Sequence, residues 1–149
     1  MYLLAFHAFL RVGEITAKSG GGNKHCILRE NITFLPDSSS KPTHVVLRCS
    51  SFKHSTGKHS PTLLIGATDD VDGCPVTALY NYCKLRENSA GPLFTFMDGS
   101  PITHQYFNQH LQASLKWANL DCNLYKGHSF RIGAASTAAG MGISETKSN

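Results

Sequence analysis

HSFRIGAAS, residues 128–136, opens a helix of mostly small side chains that runs from about Ser129 to Ala139 and is stopped by Gly140 and Gly142. Small residues let a second element approach closely, so such a helix belongs in a packed layer. His128 and Arg131 stand three apart in its first turns and therefore share a face. A helix N-terminus carries partial positive charge and unsatisfied N–H groups, which together favour an anion.

Outward from this stretch, two more helices precede it. Thr103 caps one of them, with Ile102 and Phe107 at the staple positions and a stripe continuing through Leu111, Leu115 and Ala118. Cys74-Pro75 starts the other, proline being well suited to the first helical position, and Val76, Leu79, Tyr80 and Cys83 form its stripe. Gly91-Pro-Leu-Phe94 and Asp98-Gly-Ser100 make the connecting loop and a tight turn. Further upstream the pattern changes to short β-branched runs. Asn31–Phe34, His44–Cys49 and Pro61–Ile65 predict three antiparallel strands, with Phe52–His59 as a polar hairpin tip bearing Lys53 and Lys58. Tyr2–Ala17 is apolar on most sides and predicts one long, buried helix ending at Lys18-Ser-Gly-Gly-Gly22. The fold class expected is α+β, mainly helical, with a small antiparallel sheet.

The totals are consistent with one domain. The chain has 149 residues, 41% of them hydrophobic, and its charged fraction of 16% lies below the usual quarter. Fourteen basic and ten acidic side chains leave a net charge of +4, which permits a polyanionic partner without requiring one. The five cysteines are an odd number without a CxxC pair, so reduced thiols fit better than a disulfide framework. His25-Cys26 and His54-x4-His59 lack metal-site spacing, and no metal or cofactor is expected. No apolar run approaches the ~20 residues that span a bilayer, so no membrane partner is expected. Phe6, Phe9, Phe107 and Trp117 read as core, and Cys49, Cys74 and Cys83 as buried structural thiols.

The chemistry lies in the basic residues. Arg11 and Glu14 share a face of the first segment, amid apolar neighbours where a charge needs a partner or an anion. The plain alternative is an ion pair within the helix. With His128, Arg131 and Lys53, distant parts of the chain supply two arginines, a histidine and a lysine. That set suits phosphoryl transfer: guanidinium forks grip non-bridging oxygens and stabilise the charge of the transition state, and Lys or His supplies a proton to the leaving oxygen.

LRVGE (residues 10–14), SFK (51–53) and HSFRIGAAS (128–136) resemble the successive boxes of tyrosine recombinases, the phage-integrase family. CPVTAL, GPLF and DGSPIT, lying between them in that order, resemble the eukaryotic retrotransposon branch of DIRS-, Ngaro- and Crypton-like elements. The resemblance covers nearly the whole chain and implies the catalytic-domain fold of that family. It implies that Arg11 and Arg131 bind the scissile phosphate, that His128 assists, and that Glu14 orients Arg11. It makes Lys53 the general acid, although Lys58 shares the loop and is an alternative. The DNA contacts implied are Arg11, Lys53, Lys58, His128 and Arg131. The implied partners are double-stranded DNA and other recombinase protomers, without a metal. The implied location is the nucleus in a eukaryote and the cytoplasm otherwise.

The departures matter as much. The family places a His or Trp and then a nucleophilic Tyr after the second arginine, whereas the residues following Arg131 contain none of these. Residues 1–149 therefore read as a partial catalytic domain, without the N-terminal core-binding domain and without the nucleophile segment. Three readings stay open: a DNA-gripping remnant that cannot cut strands alone, a truncated gene product or protein-interaction module without DNA function, or a portion of an active recombinase.

Overall fold

The computed structural model describes residues 1–18, 26–36, 41–49, 62–86 and 90–142. Among the described residues, five α-helices and one small sheet give an α+β architecture, as the changes of hydrophobic period imply. Helix α1 (Tyr2–His7) and the single turn α2 (Val12–Ile15) come first. Strands β1 (Ile32–Leu35), β2 (His44–Arg48) and β3 (Thr62–Gly66) follow, and then helices α3 (Pro75–Leu85), α4 (His104–Trp117) and α5 (Gly127–Gly140).

The strands form an antiparallel sheet in the order β1-β2-β3. Side chains of a strand alternate between faces, so the register decides which of them meet. Ile32 pairs with Leu47 and Leu47 with Leu63, while Phe34 pairs with Val45 and Val45 with Ile65. These two rows share one face. Val45 and Leu47, at the centre of both, are fully buried. Phe34 carries that face onto α3 through an edge contact with Tyr80, ring centroids 5.3 Å apart.

The cap read at Thr103 is present, and the helix start read at Cys74-Pro75 proves to be capped as well. Thr103 accepts the Tyr106 N–H at its hydroxyl (3.2 Å), and Cys74 accepts the Thr77 N–H at its sulfur (3.4 Å). Val76, Leu79 and Cys83 of α3 are buried, as are Phe107, Leu111 and Leu115 of α4. The α4 stripe stops at Leu115, because Ala118 is exposed. α5 begins two residues before the expected Ser129 and buries only Ala134 among its residues.

The first segment departs from the expected long buried helix. It breaks after His7, and Phe9 takes φ 54°. A backbone in the left-handed region turns the chain out of the helix. The reversal drives Leu10 into the core at 1% exposure and leaves Arg11 exposed on the other side of the break. Phe9 is itself 43% exposed and Trp117 is 91% exposed, so neither belongs to the core to which its aromatic character assigned it.

Candidate functional site

Two helix starts meet at the site. α2 begins at Val12, with Arg11 as its N-cap in extended conformation. The Arg11 backbone N–H donates to Glu14 Oε2 at 2.7 Å, and the Glu14 N–H donates to the Arg11 carbonyl at 2.9 Å. Glu14 thus holds the backbone of Arg11, and the guanidinium is left exposed. At the second start, the Lys126 N–H donates to Ser129 Oγ (2.9 Å) and the Ser129 N–H returns to the Lys126 carbonyl (2.8 Å), which fixes the first turn of α5 and with it His128.

Gly127 sets how close these two starts come. A Cβ added there would lie 2.5 Å from Val12 Cγ2, well inside van der Waals contact, and 4.0 Å from Asn108 Oδ1. Only glycine admits this approach. A third tie joins the end of α2 to the start of α4: the Ala17 N–H donates to the Ile102 carbonyl at 2.9 Å, and the His104 N–H donates to the Ala17 carbonyl at 3.4 Å.

Between these elements lies an open cleft of about 790 Å³. Its α2 side supplies Arg11, Val12, Gly13 and Glu14, with Lys18 beyond the helix; its α5 side supplies Lys126, Gly127 and His128; its α4 wall supplies His104, Asn108 and Gln112. Three cations and two histidines face a single carboxylate, and that carboxylate already accepts a backbone N–H. Such a lining suits an anion with several oxygens, which both guanidinium and ammonium donors can grip.

The structure therefore brings Arg11, Glu14 and His128 together. Arg131 is exposed on α5 and is not among the residues lining the cleft, although its spacing of three from His128 puts it on the same helix face. Lys53 and Lys58 lie outside the described residues. The strand leading toward them ends near Glu14: burial raises the Cys49 thiol, and the Glu14 carboxylate raises it further. Lys18, His104, Asn108, Gln112 and Lys126 were missed in the sequence. A polar i, i+4, i+8 run (His104, Asn108, Gln112) flanking the Phe107 stripe was the one signal for three of them.

All five tyrosines are described, and none of them lines the cleft. Tyr2 stacks on Phe130, Tyr80 meets Phe34, Tyr82 donates its hydroxyl to the Thr95 carbonyl, Tyr106 packs on Phe96, and Tyr125 is exposed on the loop before α5. The cysteines offer no nucleophile there either. Burial alone would push the Cys74 thiol up, but hydrogen bonds from Thr77, Thr68 and Val76 outweigh it and bring the thiol down to about 7. Cys74 is nevertheless only 2% exposed and stands at the start of α3, away from the cleft. Among the described residues no group of three or more His, Cys, Asp and Glu side chains could hold a metal ion, and no helix is long and apolar enough to cross a membrane.

Fold and cleft together define an α+β domain with a cationic cleft where two helix starts meet. Comparison of the chain with protein-family models, with curated proteins and with solved structures finds no match.

Proposed function

We propose that this chain is the phosphate-gripping part of a site-specific DNA recombinase or integrase catalytic domain, binding duplex DNA through its backbone. The observation that carries the reading is the cleft that Arg11 and Glu14 share with His128, more than a hundred positions further along the chain. Arg11 contributes a guanidinium fork to a non-bridging phosphate oxygen. His128, in the first turn of α5, adds a hydrogen-bond donor where the helix N-terminus already favours negative charge. Lys18 and Lys126 flank these two and suit the neighbouring phosphates of the strand. Arg131, exposed one turn further along α5 and outside the cleft lining, takes its phosphate contact from the resemblance alone, as Lys53 takes its role of general acid.

The cleft's own side chains bind and polarise a phosphodiester. A covalent step in the family manner needs a tyrosine hydroxyl beside the phosphate, and the tyrosines of these residues stand elsewhere. On this reading the chain binds DNA and does not cut it by itself.

The test is duplex-DNA affinity over a salt series for the chain and for its Arg11→Ala/Arg131→Ala variant. The reading requires affinity that falls steeply with salt, and a log–log slope that shrinks by about one for each phosphate contact removed. Binding that ignores salt, or that both arginines leave untouched, would overturn it.

A further inference from the structure

On the side of α4 turned away from the cationic cleft lies a second cavity, of about 280 Å³, between α1, α3 and α4. Its floor is the core itself, the buried Leu79, Phe94 and Phe107. Its walls are rings in pairs: Tyr2 meets Phe107 with centroids 4.8 Å apart, and Tyr82 meets Phe94 at 5.3 Å. Ala78 and His110 are exposed and mark the mouth, with the half-buried Tyr106 just inside. None of the described residues that line it is Asp, Glu, Lys or Arg. Two of its three phenols are engaged. The Tyr82 hydroxyl donates to the Thr95 carbonyl (3.1 Å) and accepts the Thr95 N–H (2.8 Å), and the Tyr2 hydroxyl donates to the Phe107 carbonyl (3.3 Å). Tyr106 differs. Its ring is held between Phe96 and His110, centroids 4.6 and 4.2 Å away, and among the described residues no hydrogen bond engages its hydroxyl.

We infer that this cavity binds a small, uncharged, planar aromatic molecule of two fused rings, whose single hydroxyl or carbonyl oxygen accepts the Tyr106 hydroxyl at the mouth. The inference does not depend on the DNA reading of the other cleft. Size sets the number of rings. A cavity of about 150 Å³ admits benzene and drug-sized ligands take about 300–1,000 Å³, so this one falls between them. The lining sets the character. Water gains few hydrogen bonds over a floor whose polar groups are already engaged, so an apolar ring displaces it favourably. Paired rigid rings in the walls suit a flat ligand, which can stack on one and meet another edge-on. A charged head group would find no counter-ion among the described lining residues, and an unpaired charge is costly away from water. A purely apolar ligand would leave the Tyr106 hydroxyl unused. One oxygen satisfies it and fixes which end of the ligand faces outward.

The experiment is titration of 2-naphthol with the full chain, followed by the fluorescence of the naphthol, with naphthalene as competitor. It is repeated with Tyr106→Phe, Ala78→Phe and Arg11→Ala, and circular dichroism verifies that each variant keeps its fold. The parent should bind 2-naphthol one to one and saturate below about 1 mM. Naphthalene should compete roughly threefold to tenfold more weakly, the worth of one hydrogen bond. Tyr106→Phe keeps the ring and removes the hydroxyl, so it should bring 2-naphthol down to the affinity of naphthalene and leave naphthalene as it was. Ala78→Phe, at an exposed helix position, should close the mouth and abolish binding of both. Arg11→Ala should bind like the parent, because Arg11 lines the other cleft. Binding that does not saturate, that ignores Ala78→Phe, or that falls with Arg11→Ala overturns the proposal. Equal affinity of the parent for the two compounds, or a hydroxyl preference that survives Tyr106→Phe, overturns it as well.

Discussion

Gly127 is the residue on which the geometry of the cleft depends most directly. Val12 is buried, so its methyl group cannot swing aside when a Cβ appears 2.5 Å away. Gly127→Ala must separate the α2 and α5 starts, and overpacking of this kind costs about 1–3 kcal/mol, against at most about 1 kcal/mol gained from a better helix former. Val12→Ala should relieve the clash, so the double variant should be less unstable than the sum of the two single changes. Urea unfolding of the four proteins measures that coupling. A Gly127→Ala protein as stable as the parent, or strictly additive losses, would show that the two starts do not touch in this way. At this scale the sequence disclosed Arg11, Glu14 and His128, because charged residues in apolar or helix-start settings are conspicuous. It could not disclose Lys18, Lys126 or His104. They become neighbours of Arg11 only through the Val12–Gly127 contact and the Ala17–Thr103 bridge, neither of which leaves a local signature.

Among the elements, those with a capping residue and a one-sided stripe were legible almost to the residue, as α3 and α4 show. The first segment was not, because apolar residues on every side give no phase from which a break could be read, and its break rests on one left-handed residue, Phe9. α5 was legible as a helix from its glycine stops, but its attachment was not. Only Ala134 is buried, and the ring of Phe130 stacks on Tyr2 with centroids 5.4 Å apart and planes at 3°. The same ring meets Phe107 edge-on at 5.9 Å. The small side chains of α5 bury little apolar area, so this aromatic cluster supplies much of its docking. Phe130→Ala should therefore cost about 2 kcal/mol, the loss of a half-buried ring. It should also act locally. Amides of α5 should lose hydrogen-exchange protection while those of α3 and α4 keep theirs. Equal loss of protection in all three helices would mean that α5 is held by the global fold and not by this cluster.

Across the whole molecule, the α+β class and the small antiparallel sheet followed from changes of hydrophobic period. The distribution of apolar surface did not, because periodicity says which face is apolar and not whether another element covers it. Trp117, Leu120 and Leu124 on the way from α4 to α5, with Ile132 on α5 and Met141 just after it, are all exposed. Trp117, Leu120 and Leu124 lie within eight residues of one another, so they are the exposed apolar stretch best placed to act as one surface. Trp117 is the single tryptophan, so it reports on this surface alone. In dilute solution its emission should be that of a solvated indole, quenched by acrylamide nearly as fast as free tryptophan, because the side chain is 91% exposed. As concentration rises, copies should associate through this surface, the emission should shift to the blue, and quenching should slow. Leu120→Ser/Leu124→Ser should move that change to higher concentration and leave salt-dependent DNA affinity as it was, since neither leucine lines the cationic cleft. Protected emission at the lowest concentration would contradict the placement of Trp117. A shift that ignores the serine substitutions would place the contact elsewhere on the molecule.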